Sequence, residues 1–475
     1  MSLISLPFFI FMCCFLGAYY NAGEKHQWKV LLIGNAFFYI CSNPVYIIFI
    51  AISIVSTWYL MRNPIKRNFM LTIAINLGLL IAFKYSVNLG IRDLVAPLGI
   101  SFYTFMTLGY AHDCYDKKIK PCDNLWHYAL FISYFPQLTQ GPIGTYQEMR
   151  DQLTSYHGYD RQSIKEGGYR IIIGVFKKLV IAGRVGFYID TVYSSPKSYS
   201  GLTLITATIF YLIEMYADFS GYMDIVCGVS KMLGIRLKEN FRRPYLSKSI
   251  PEYWRRWHIS LNEWFMNHLY MPSVTAGWNR KLSRALGKVF TKARKGTLRL
   301  IFPTMLVWIV TGIWHGAKFS YLGWGIYFAF VMLVSFCTQS YVKRLNAKIH
   351  WNPDNIFIKI FQVARTLLIL SFGEIIYRSE CFADTVAIFK GIFTNTRING
   401  AEIAAAMTPF GNGNQAAASM LIIAVLVTAQ AVIEISKEKD EKAFTGHRYI
   451  YAFAMLTVIA LFGVAGKSSF MYQAF

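Results

Sequence analysis

The sequence predicts an all-α polytopic membrane protein with about 11 transmembrane helices and re-entrant or interfacial segments between them. Three observations carry that expectation. Of 475 residues, 55% are hydrophobic and only 15% are charged, whereas a soluble domain is about a quarter charged. Apolar runs of roughly 20 residues, enough to cross a bilayer, recur along the chain. The charge between them is strongly basic, a net +23, and its placement alternates from run to run.

In order, "MSLISLPFFIFMCCFLGAYY" lacks a basic n-region and an A-x-A-like cleavage site, so it reads as a retained first span and not as a signal peptide. With the amino terminus outside, Lys25 and Lys29 fall inside, and spans near 30–42 and 44–61 return "RNPIKR" to the inside. Spans near 68–83 and 94–111 leave Lys117, Lys118 and Lys120 inside, and one near 125–141 exits. Two apolar stretches follow, about 168–190 and 201–224, and two full crossings would break the alternation. Lys177 and Lys178, in the middle of the first, mark it as a re-entrant or interfacial segment that protein or a watery cavity must cover. Later spans near 300–317, 320–341, 357–377, 416–436 and 447–466 put the last residues outside. No soluble domain and no internal repeat is visible, so residues 1–475 read as one membrane domain, with a basic cytoplasmic segment (229–299) and an extracytoplasmic tail (467–475).

The basic segment decides what the net charge means. Between Val229 and Leu300 stand seven Lys and nine Arg against Glu239, Glu252 and Glu263. Flanked by spans, such a stretch faces anionic lipid headgroups on the cytoplasmic side, so membrane lipids and not nucleic acid are the expected partner. The eight cysteines show no C-x-x-C pair and no Cys/His ligand spacing, which argues against a disulfide framework and a metal site. Acylation of the adjacent Cys13 and Cys14 is the alternative to small buried residues.

Within the basic segment, "YWRRWHISLNEWFMNHLYMP" (253–272) has helical periodicity: Trp254, Trp257, Leu261, Trp264, Phe265 and His268 share one face, and Arg256, Ser260, Glu263 and Asn267 the other. Pro251 and Glu252 suit its first turn and Pro272 its end, giving an amphipathic helix at the cytoplasmic interface. His258 falls on the apolar face, where a buried histidine is either a hydrogen-bonded packing residue or part of a site. A second histidine, His315 in "VTGIWHGAKFSYLGWGIYFAF", stands near the outer part of an apolar span among Gly312, Gly316, Gly323 and Gly325. An ionisable residue in a span is a functional candidate, and glycines let helices or a substrate approach closely.

These motifs together, with "APLGISFYTFMTLGYAHDCYD", "SYFPQLTQGPI", "YADFSGYMDIVCGVSKMLGIRLKENFRRPYLSKSIPEYWRRWHISL" and the closing "FMYQAF", resemble the membrane-bound O-acyltransferase (MBOAT) family, in particular its bacterial alginate O-acetyltransferase-like branch. The resemblance runs along most of the chain and implies an MBOAT fold, with a funnel or tunnel joining a cytoplasmic acyl donor to an acceptor. It implies that His315 is the catalytic histidine and His258 the family's second characteristic histidine. The chemistry suits imidazole, which accepts a hydroxyl proton as the oxygen attacks a thioester carbonyl and returns it to the leaving group. Asp218 in "ADFSGY" is a candidate partner or orienting group, the alternative being that it caps or lines a helix break. Tyr472 in the F-x-Y-x-x-F tail is, by the same resemblance, a covalent acyl carrier; its alternative is an aromatic interfacial anchor.

The resemblance further implies acetyl-CoA as donor substrate with no bound cofactor, a polysaccharide acceptor, an extracytoplasmic SGNH-hydrolase-like partner transferase, and a bacterial inner or plasma membrane location. The sequence leaves open D-alanyl transfer from an acyl carrier protein to teichoic acid, a lipid O-acyltransferase, and a non-enzymatic transporter or flippase. The chain also departs from the family: Met266 and Asn267 replace the usual Arg-Asp, "MPSVTAGWNR" replaces the continuation into Gly-Gly, and Glu374 in "SFGEIIYRSE" is unusual beside the matching Arg378.

Overall fold

The computed structural model describes residues 1–42, 44–88, 90, 96–289, 295–349, 352, 354–397, 400, 402, 406, 414–440, 446 and 448–464. The first helices are α1 (Leu6–Asn21), α2 (Gln27–Ser42), α3 (Ile47–Met61), α4 (Lys66–Lys84) and α5 (Ile100–Tyr115). There follow α6 (Leu125–Ser133), α7 (Phe135–Leu138), α8 (Tyr146–Thr154), α9 (Arg161–Phe176), a π-helical turn (Lys177–Ala182), α10 (Gly183–Ser194) and α11 (Gly201–Met232). The basic segment holds α12 (Ile250–Arg256), α13 (Ile259–Phe265), a second π-turn (Met266–Tyr270), α14 (Met271–Thr275) and α15 (Gly277–Val289). The last helices are α16 (Lys295–His315), α17 (Phe319–Lys348), α18 (Ile356–Arg378), α19 (Phe382–Thr394), α20 (Asn414–Lys439) and α21 (Arg448–Phe462).

Seven helices among the described residues are long and apolar enough to cross a membrane: Pro44–Met61, Lys66–Lys84, Gly201–Met232, Gly296–His315, Phe319–Lys348, Ile356–Arg378 and Ala417–Lys439. Helices α1 and α21 are shorter apolar helices. Other apolar runs are broken where local chemistry breaks them. The 125–141 run divides at Tyr134, which leaves helical geometry (φ −57°, ψ 103°) just before Pro136 opens the first turn of α7.

Two compact units emerge. The first comprises Met1–Gly183, Met215–Asn240 and Phe444–Phe475, the second Arg184–Glu214 and Phe241–Ala443. In the first, Phe135 packs against Phe8, Phe11, Phe15 and Phe38, its closest ring centroid being that of Phe38 at 4.9 Å. The lysines that interrupt the 168–190 run are neutralised in place: Lys178 pairs with Asp218 at 2.5 Å and Lys177 with Asp224 at 2.8 Å. Arg170 adds to this network through Asp224 at 3.0 Å and Glu239 at 2.5 Å. A stretch that carries its own counter-ions buries charged side chains that lipid would reject. The π-turn also frees the Leu179 carbonyl, which accepts from the Val464 N–H at 2.9 Å just beyond α21.

In the second unit, Arg243 and Arg256 both reach Glu438 at the end of α20, at 2.7 and 2.9 Å, and Arg243 also donates to the Lys437 carbonyl. The end of α20 therefore meets the basic segment, consistent with the charge alternation that assigns both to one side. Lys318 meets Glu380 at 2.5 Å, which joins the start of α17 to the residues just past α18.

The 253–272 stretch differs from the expected single helix. His258 adopts a left-handed backbone (φ 46°, ψ 53°) that ends α12 and starts α13. Phe241 and Trp257 form an antiparallel bridge, and the Arg242 N–H donates to the Arg256 carbonyl at 3.0 Å, which pins the chain at that corner. Pro251 and Glu252 do occupy a first turn, capped by Ser249, but Pro272 sits in the first turn of α14 and does not end a helix. Nor does the segment merely lie on a surface. Trp254 packs on Trp308 of α16 at 4.8 Å, and on Phe328 and Trp324 of α17 at 5.0 and 5.7 Å.

Candidate active site

His315 is the last residue of α16 and lies in an aromatic box inside the second unit. Gly312 and Gly325 permit the close approach of α16 and α17 that builds it: a Cβ on Gly312 would lie 2.6 Å from the Tyr321 carbonyl oxygen, and one on Gly325 would strike the Trp308 carbonyl. Around the imidazole stand Trp314 at 4.7 Å, Trp324 and Tyr377 each at 5.2 Å, and Tyr321 at 6.0 Å between ring centroids. The Trp324 and Tyr377 rings meet it nearly edge to face, at 88° and 87°, the arrangement the aromatic quadrupole favours. The histidine itself is 5% exposed.

A hydrogen bond to Tyr377 helps orient the ring. The Tyr377 hydroxyl lies 3.3 Å from His315 Nδ1, with α18 supplying the tyrosine. A partner on Nδ1 fixes the plane of the imidazole and directs Nε2 to the remaining edge, the arrangement a histidine base requires. Arg378, the next residue, binds Asp190 at 2.7 Å and lies over the Tyr193 ring at 5.5 Å. It anchors the end of α18 that carries Tyr377.

His258 is buried at the α12–α13 corner, in the same unit as His315. Burial pushes its imidazole pKa down to about 3, so the ring is neutral at physiological pH. Two ring contacts relate this segment to His315: Trp254, four residues before His258, meets Trp324, and Trp324 meets the imidazole. Asp218 belongs to the first unit, where it forms the buried ion pair with Lys178. Tyr472 lies outside the described residues. Sequence reasoning passed over Tyr377, although it precedes the Arg378 that the motif comparison singled out.

Comparison with known proteins identifies relatives along most of the chain. A probable alginate O-acetylase, AlgI, of Pseudomonas syringae pv. tomato is 31% identical over 459 residues, covering 91% of this chain and 80% of that protein. The peptidoglycan O-acetyltransferase of Helicobacter pylori is 27% identical over 410 residues, 76% of this chain and 73% of the relative. The teichoic acid D-alanyltransferase of Bacillus subtilis is 28% identical over 295 residues, 61% of this chain and 71% of the relative. Residues 115–377, which include His258, His315 and Tyr377, match the MBOAT, membrane-bound O-acyltransferase family. The chain therefore belongs to the membrane-bound O-acyltransferase family, and it is a membrane-embedded O-acyltransferase.

Proposed function

We propose that this enzyme takes an acetyl group from a cytoplasmic thioester, acetyl-CoA, and moves it across the bacterial inner or plasma membrane for O-acetylation of a cell-surface or secreted polysaccharide. The carrying observation is the Tyr377–His315 contact, 3.3 Å from hydroxyl oxygen to Nδ1 inside a buried aromatic box. In this reading His315 Nδ1 keeps its proton and donates it to the Tyr377 oxygen, and Nε2 carries the lone pair. As an acceptor oxygen attacks the thioester carbonyl, Nε2 takes the hydroxyl proton; the new C–O bond forms, the C–S bond breaks, and the proton passes to the departing thiolate. Acetyl and not a longer chain suits the crowding around the imidazole. His258 serves as a neutral polar group supporting the segment that carries Trp254. Asp218 holds the π-turn through its ion pair with Lys178. An extracytoplasmic SGNH-hydrolase-like transferase receives the group and passes it to the polymer.

Mild alkaline treatment of envelope polymers tests the cargo. Cells with the protein should release acetate that cells without it do not. Release of D-alanine in its place would establish the alternative that the Bacillus subtilis relative raises, D-alanyl transfer to teichoic acid. His315→Ala should insert normally and abolish the acylation.

A further inference from the structure

Glu374 is a carboxyl group inside an apolar span, and no step above uses it. It is 2% exposed, and its Oε1 accepts a hydrogen bond from Trp324 Nε1 at 3.4 Å. Its Oε2 has no hydrogen-bond partner among the described residues. An apolar side chain would occupy this place without the cost of burying an incompletely bonded carboxyl, so its presence calls for a task that an apolar residue could not perform.

What the carboxyl holds is an indole in contact with the base. The Trp324 ring meets the His315 imidazole edge to face, at 5.2 Å and 88°, and touches Tyr377 at 5.6 Å. Packing alone leaves a ring free to settle in more than one orientation, whereas a hydrogen bond at Nε1 selects one. Glu374 and Tyr377 are three residues apart on α18 and therefore neighbours on the helix surface. One turn of α18 thus supplies both the partner of Nδ1 and the acceptor that fixes the ring packed against the imidazole.

We propose that Glu374 is a positioning residue for His315, acting through Trp324: its Oε1 fixes the indole, and the indole fixes the imidazole in the orientation that presents Nε2 to the acceptor hydroxyl. This rests on the reading of His315 as the base.

The test is a double-mutant cycle in membranes, reading incorporation of radiolabelled acetyl from acetyl-CoA into envelope polymer, per immunodetected protein. Glu374→Leu should lower the maximal rate about tenfold to a hundredfold and leave the acetyl-CoA KM within about twofold. Glu374→Gln, which keeps an acceptor oxygen, should restore most of the rate with an unchanged pH profile. Trp324→Phe, which keeps a ring and loses the N–H, should lose a similar factor, and the Glu374→Leu/Trp324→Phe double variant should lose no more than Trp324→Phe alone. Losses that multiply in the double variant, a Glu374→Gln variant as poor as Glu374→Leu, or an effect confined to KM would each overturn the inference. His315→Ala, measured alongside, separates the two readings: activity there overturns the base assignment, whereas an inactive His315→Ala with multiplying losses overturns the role of Glu374 alone.

Discussion

At His315 the deciding detail is which ring nitrogen carries the proton. Tyr377 lies 3.3 Å from Nδ1, and a base working through Nε2 needs Nδ1–H to donate to that oxygen. Tyr377→Phe keeps the ring packing and removes the acceptor, so the maximal rate should fall about tenfold to a hundredfold, the worth of one orienting hydrogen bond to a group that becomes charged. Kinetics of the variant in membranes, per immunodetected protein, check this, and an unchanged rate would mean that packing alone orients the imidazole. His315 stood out in the sequence as a histidine in an apolar span, and the family resemblance singled it out as the catalytic candidate. Tyr377 did not: it is one of 31 tyrosines and stands 62 residues from its partner, a distance closed by the packing of α16 and α18 on α17. Asp218 was legible as an ionisable residue and not as half of an ion pair, because nothing in its own surroundings names Lys178.

Among the elements, the helices were legible where periodicity is long and uninterrupted, as in α11 and α16 to α18. The corner at His258 was not, because a left-handed histidine leaves no mark in a hydrophobic pattern; the Phe241–Trp257 bridge imposes it from outside the segment. The π-turn after α9 stands on the opposite footing. Lys177 and Lys178 announced an irregular stretch, and their carboxylate partners explain how it stays buried. Asp218→Ala would leave the Lys178 ammonium buried without its carboxylate and should destabilise the protein by about 3–5 kcal/mol, whereas joint replacement by Leu at Asp218 and Met at Lys178 should recover most of the loss. Thermal unfolding in detergent reads both. A Asp218→Ala variant as stable as the wild type would mean that the pair does not hold the turn.

For the whole molecule, composition and charge alternation were sufficient to read a polytopic helical membrane protein, and the Arg243–Glu438 and Arg256–Glu438 pairs join two segments that the alternation assigns to one side. The division of the chain into two units was not legible, because each unit gathers segments far apart in sequence. If Tyr472 is the covalent carrier, Tyr472→Phe should leave the protein inserted and abolish polymer acetylation; unchanged transfer would leave it an aromatic anchor. Acetyl transfer by His315 is tested by the acetate that mild alkali releases from envelope polymers of cells carrying the wild type or His315→Ala at equal membrane abundance. Wild-type cells should release acetate and His315→Ala cells none above the background of cells lacking the protein; equal acetate from both would rule out His315 as the transferring base.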